Sequence, residues 1–325
     1  MLLAEIHGEF AEKHIDSGPI NVATLTPAQI RQMVEGVVAF QENFVTQSQE
    51  KIDKYLSLIG ENRFTPHPPC WIVPPYFYTS DIGDTVYEKS LSAAHAATSV
   101  TSPGYRINPV VCFRMGSLAE NSAERIASDY SDFGRCLLFA KDFREHSADV
   151  DQLHAWLDLL VRLSRERIQP FTLYGGFFSI VGHKLQLAGI SHGLGYGEYR
   201  DPLSPMGGPP PDRYYIPKLH RFYEIGEADS ILSRPGAEFL RCDCQICSSA
   251  RHGGRGAIIE LTRSERLRHF LISRHGEVRY VQDTTLAEIL NDLRETIATF
   301  QRNLRALVDR IGHLENWSAT VEQFV

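Results

Sequence analysis

Short apolar runs alternate with helical patterns from residue 71 onward, and this alternation narrows the fold more than any other feature. The runs fall at 71–78, 109–115, 136–143, 171–178, 189–196 and 214–223. Between them, 117–128, 150–166 and 180–187 carry helical patterning. Strands separated by helices imply a parallel sheet, because only a crossover helix returns the chain to the same edge. The chain beyond the N-terminal helix is close in length to the roughly 250 residues of a closed (β/α)8 barrel. The expectation is an α/β chain built on a TIM-like (β/α)8 barrel. An open doubly wound sheet is the competing architecture. No Gly-x-Gly-x-x-Gly follows the first run, so the usual dinucleotide site is missing.

The flanks are helical. Thr26-Pro27-Ala28-Gln29 offers a capping hydroxyl, a proline suited to the first helical position, and a glutamine that can close a capping box. Apolar residues then recur at helical spacing through Ile30, Met33, Val37, Phe40 and Phe44 to Ile52, Tyr55 and Leu58, with Gly60 as a stop. Residues 1–24 read as an arm, and 65–69 as a proline-rich break. A second strong helix is expected over 286–311, capped reciprocally by Thr285 and Glu288. The domains expected are therefore 1–69 (arm and helical extension), 70–240 (barrel body) and 241–325 (a metal-binding subdomain with the last helix). The proline-rich stretch 200–212 is a long loop at a strand end, where barrel sites lie.

Of 325 residues, 43% are hydrophobic and 22% charged, which suits one large core and excludes disorder for the bulk of the chain. No run of about 18 apolar residues occurs, so nothing is expected to span a membrane. The opening Met1-Leu2-Leu3-Ala4-Glu5-Ile6-His7 lacks a basic region, so a cytoplasmic location is expected. A net charge of -7 argues against a protein coated in basic surface, although 241–310 is richer in Arg than the rest and allows a local phosphate contact.

Three of six cysteines crowd into Cys242-Asp243-Cys244-Gln245-Ile246-Cys247. Cys-x-Cys sets two sulfurs on one side of an extended segment and Cys-x-x-Cys closes a knuckle, so three thiolates meet in one small volume. A tetrahedral Zn2+ needs a fourth ligand, and His252, His269 and His275 are the downstream candidates. Four protein ligands would close the site, making it structural. Cys70, Cys112 and Cys136 lie in or beside apolar runs and read as core residues. Lys218 and Arg221, flanking His220 at the end of a run, could hold a phosphate or a carboxylate.

Cys-Asp-Cys-x-x-Cys, a His about thirty residues later, and the helical Leu293-Arg294-Glu295-Thr296-Ile297 resemble the zinc subdomain of the tRNA-guanine transglycosylases. Gly193-Leu194-Gly195-Tyr196-Gly197-Glu198 is similar to that family's strand end against a purine-like base. Leu173-Tyr174-Gly175-Gly176 resembles the preceding strand, with Tyr174 where the family reads the base with Gln. The resemblance covers roughly 136–312. It implies a structural Zn2+ on Cys242, Cys244, Cys247 and His275. It also implies exchange of guanine for a 7-deazaguanine in nucleic acid, either tRNA or DNA. The family uses two carboxylates, one attacking the ribose C1′ carbon and one moving a proton. By this comparison Asp81, Asp142 and Glu238 are the catalytic candidates, and His192, Gly193, Leu194, Gly195, Lys218, His220 and Arg221 the substrate-binding ones. The family's Asp-x-x-x-Pro-Thr-Arg segment is replaced here by 229–238, where Asp229 or Glu238 would take its place. Asp81 or Asp84 could instead cap the following helix, and His192 could be a core histidine. Two other readings stand: a non-catalytic zinc-containing partner of such an enzyme, as homodimer or heterodimer with a catalytic homologue, and a barrel enzyme acting on a small nucleoside.

Overall fold

A computed structural model of the chain describes residues 21–58, 71–192, 198–199, 212–252 and 258–325, without the side chains of 44–58 and 252. Helix α1 (Pro27–Leu58) starts where the sequence places it, with the Thr26 hydroxyl and the Gln29 side chain bonded to each other's backbone. The expected strand at 71–78 divides into β1 (Trp71–Ile72) and β2 (Tyr78–Thr79). Pro74 and Pro75 stand between them and supply no backbone donors, so the ladder cannot run through. Then come α2 (Thr85–Val100), β3 (Arg106–Ile107), β4 (Val110–Arg114), α3 (Glu120–Asp129), β5 (Arg135–Lys141) and α4 (Val150–Arg165). Next are β6 (Gln169–Leu173), α5 (Phe177–Val181) and β7 (Gly189–Ser191).

Strands β2, β4, β5, β6 and β7 form one parallel sheet in that spatial order. Each new strand joins the same growing edge, so the sheet is wound in one direction and has no switch point of the doubly wound kind. Alternation along the strands gives it two apolar faces. Val111, Phe113, Cys136 and Leu138 belong to the large core with α3 and α4. Val110, Cys112, Leu137 and Phe139 form a separate cluster with Tyr76, Tyr78, Phe171 and Tyr174. Cys112 and Cys136 are core residues, as expected; Cys70 lies outside the described residues. The amphipathic face of α4, Leu153, Trp156, Leu157, Leu160 and Leu163, is fully buried on the sheet.

A closed eight-strand ring is not formed among the described residues. The run at 214–223, expected as a further barrel strand, is instead a hairpin of β8 (Arg213–Ile216) and β9 (Arg221–Glu224), paired antiparallel and outside the parallel sheet. Pro217 opens a tight turn through Leu219, and His220 closes it in the left-handed region at φ 49°. The chain then reverses where a single strand would have continued.

Helices complete the molecule: α6 (Ile225–Leu232), α7 (Gln245–His252), α8 (Arg263–Asp283), α9 (Leu286–Asn303) and α10 (Gly312–Glu322). Capping boxes start two of them, Thr262 with Glu265 on α8 and Thr285 with Glu288 on α9, the latter as expected. The helix expected to run to 311 stops at Asn303, and a kinked 3-10 segment, Arg305–Ile311, leads to α10. One buried cluster extends from Tyr87 to Val321. No helix among the described residues is long and apolar enough to cross a membrane.

Candidate metal centre and the polar core beside it

Cys242 and Cys244 lie on the extended approach to α7, and Cys247 in its first turn. Their sulfurs and the Nδ1 of His269, on α8, all lie within 4.8 Å of one another and could hold a metal ion. His269 Nδ1 is 3.4 Å from Cys244 Sγ and 3.5 Å from Cys247 Sγ. A tetrahedral ion about 2.3 Å from sulfur and about 2.05 Å from nitrogen would set S and N about 3.6 Å apart, so the spacing fits.

The surroundings aim the ligands. His269 is fully buried, and its Nε2 meets the Tyr215 carbonyl oxygen at 2.8 Å. A carbonyl only accepts, so Nε2 carries a proton and Nδ1 faces the sulfurs, free to bind a metal ion once it has shed its own proton. The Tyr214 ring stacks on His269 with centroids 4.5 Å apart, and its hydroxyl lies 3.2 Å from Cys247 Sγ. The Cys244 amide donates to Cys242 Sγ at 3.4 Å, and Arg251 ties down the Cys242 carbonyl and the Asp243 carboxylate. Burial disfavours a charged His269, yet the Cys242 and Cys244 sulfurs hold its pKa up at about 9. Cys242 is drawn down to about 4, chiefly by its hydrogen bond with Cys247. Protons and a metal ion compete for these four atoms.

The histidine of the candidate ligand set is therefore His269, and the expected His275 is corrected. The buried stripe of α8 runs through Arg266, His269, Phe270, Arg274, Glu277 and Val281. Six residues beyond His269, at about 100° per residue, His275 has turned some 240° around the axis and stands exposed. His252 is not described at the side-chain level.

The same helix anchors a buried polar network. Glu277 accepts from the Tyr215 hydroxyl at 2.6 Å, pairs with His220 Nδ1 at 2.6 Å and lies 3.0 Å from Arg274 Nη1. Burial by itself would raise the Glu277 pKa, but Arg274 and His220 hold it below the usual carboxylate value. Arg274 also pairs with Glu198, which burial pushes up to about 7. His146 donates from Nε2 to the His220 carbonyl at 2.9 Å, and burial lowers it to about 4. Beside it, Glu145 accepts from the amides of Gly176 (2.8 Å), Phe178 (3.0 Å) and Ser179 (3.2 Å) and from the Ser179 hydroxyl (2.5 Å). Burial nonetheless raises the Glu145 pKa. A Cβ on Gly176 would fall 2.6 Å from Glu145 Oε2, so glycine is needed for the carboxylate to reach the amides. Sequence reading missed Glu145, His146, Tyr215, Arg274 and Glu277; only the position of Glu145-His146 just after a strand end hinted at them.

Asp81 and Asp142 both follow strands at the C-terminal edge of the parallel sheet and are exposed. Thr79 pairs with Phe113 and Arg114 with Lys141, and both ladders end there: the chain bends at 80–81, Met115 opens a 3-10 turn and Asp142 is left-handed, so each aspartate sits just past a strand that flanks β4. Asp142 and Tyr174, at the ends of neighbouring strands, have left-handed φ of 63° and 64°. Asp84, not Asp81, caps α2 by accepting from the Tyr87 amide at 2.7 Å. Glu238 is exposed on a 3-10 turn, Glu238–Leu240. His192 packs edge-on against Phe270 at 5.3 Å. Lys218 and His220 line one cavity and Arg221 another, with Arg144 and Glu198. Gly193, Leu194 and Gly195 lie outside the described residues. No family model, no curated protein and no solved structure matches the chain.

Proposed function

We propose that the chain is a base-exchange enzyme of the transglycosylase type, replacing guanine by a 7-deazaguanine in tRNA or DNA, on a barrel-like α/β body stapled by Zn2+. The observation that carries this reading is that Asp81 and Asp142 each follow a strand paired with β4, at the C-terminal end of the sheet, where parallel α/β folds bind substrates. One carboxylate attacks C1′, so the C1′–O bond forms as the bond to guanine breaks, and the departing base takes a proton from the other. The incoming base returns a proton to that second carboxyl group and displaces the first from C1′. The left-handed Asp142 and Tyr174 support the assignment, since such backbone strain gathers at working edges. Zn2+ on Cys242, Cys244, Cys247 and His269 would be closed by four protein ligands and would take no part in the exchange; it would tie the 242–247 segment to α8, whose His269 also bonds the Tyr215 carbonyl on β8.

Labelled guanine tests this. The zinc-loaded protein should exchange it into tRNA or DNA, and Asp81→Ala and Asp142→Ala should each lower the rate at least 100-fold. Absence of exchange in both polymers, by a chain that is folded and metal-loaded, overturns the reading. The solvent-facing Glu238 favours one alternative, a non-catalytic zinc-containing partner in a homodimer or heterodimer. That alternative expects inactivity alone together with co-purification with an active homologue.

A further inference from the structure

The cavity beside the metal centre has features the exchange reaction does not use. It encloses about 410 Å³ between the β8–β9 turn, α8 and α9. Phe177, Leu240, Ile289 and Leu293 supply apolar wall, and Lys218, Arg241 and His220 supply cationic or protonatable groups.

Its acids are already engaged. Asp292 accepts from the Tyr280 hydroxyl, Asp243 pairs with Arg251 at 2.7 Å, and Glu277 is held by Tyr215, His220 and Arg274. Lys218 and Arg241 are exposed, and among the described residues neither meets a carboxylate. His220 is fixed on both sides, by Glu277 at Nδ1 and by a Phe177 ring stacked 3.4 Å away. Its Nε2 makes no hydrogen bond among the described residues, and the ring held in this way is part of the cavity wall.

We propose that this cavity is a binding site for a small phosphate monoester with an apolar or aromatic body. The phosphate meets Lys218, Arg241 and His220 Nε2, and the body rests on Phe177, Ile289 and Leu293. A flexible pair of cations gathers an oxyanion, and His220, whose Nδ1–H goes to the Glu277 carboxylate, offers an accepting Nε2 to a P–OH of the monoester. Apolar wall with few convergent polar groups is the usual make-up of a small-molecule site. The proposal does not rest on the exchange reaction, since none of Asp81, Asp142 or Tyr174 lines this cavity.

Phenyl phosphate titrated by calorimetry into the zinc-loaded full-length chain tests it. One molecule should bind per chain, and the Lys218→Ala/Arg241→Ala double variant should bind at least tenfold more weakly with an unchanged melting temperature. Both side chains are exposed, so the fold should tolerate their loss; Arg305→Ala, an exposed cation elsewhere, should bind as the parent does. Inorganic phosphate and phenol should each bind at least tenfold more weakly than phenyl phosphate. No binding at millimolar phenyl phosphate, equal affinity in the double variant, or phenol binding as tightly would each overturn the proposal.

Discussion

Replacing His269 by alanine separates the metal centre from every neighbouring possibility. His269→Ala deletes one of four ligand atoms and the donor to the Tyr215 carbonyl together. A buried carbonyl left without a partner costs about 1–3 kcal/mol. The emptied imidazole volume, beneath a Tyr214 ring stacked on it at 4.5 Å, adds about 2 kcal/mol at roughly 24 cal/mol per Å³. The protein part of the loss is thus about 3–5 kcal/mol, against a typical total stability of about 5–15 kcal/mol. At about 2 °C per kcal/mol for a chain of this size, the melting temperature should drop by at least about 6–10 °C. Loss of the metal adds to this, because the free energy of binding a structural ion is itself folding free energy. His275→Ala, on the exposed face of the same helix, should stay within about 0.5 kcal/mol of the parent. The assay is elemental analysis of the untagged protein beside a thermal melt of all three forms. The reasoning is refuted if His275→Ala sheds the metal and His269→Ala keeps it, or if the parent chain carries none.

Two further outcomes concern the polar core. Glu145→Ala strands three buried amides at the start of α5 and should cost about 3–6 kcal/mol by urea denaturation; a loss under about 1 kcal/mol would mean that the cap carries no weight. Glu198 and His146 act on stability in opposite senses as pH changes. Folded Glu198, at about 7, keeps a proton that the unfolded chain releases near its ordinary value of about 4.3, so its contribution falls as pH rises through that window. Folded His146, at about 4, has shed a proton that the unfolded chain holds up to about 6.5, so its contribution rises with pH over the same range. The two should largely offset each other in the parent, and Glu198→Gln should therefore gain stability as pH rises from about 4.3 to about 6.5 in denaturant titrations. A variant curve parallel to the parent's would dismiss the assignment.

The sequence alone determined the elements whose cause is local. Capping pairs at Thr26 and Gln29 and at Thr285 and Glu288 start helices where the pattern places them, because the bonds join residues three apart. The alternation of apolar runs and helices fixed the parallel sheet, and three cysteines in six residues fixed most of a ligand set. What lay beyond reach depended on rotation and distance. His269 and His275 share one helix, and only the face of α8 turned to β8 decides between them. Pro217 could end a strand or turn a hairpin, and the pairing of Arg213 with Glu224 through to Ile216 with Arg221 settles it. Glu145, Glu198 and the Arg274–Glu277 pair of α8 come from segments far apart in the chain, and nothing in their spacing announces that burial brings these three segments together. Local bonds are written in neighbouring residues, whereas a buried charge is tolerated only where distant segments bring it partners.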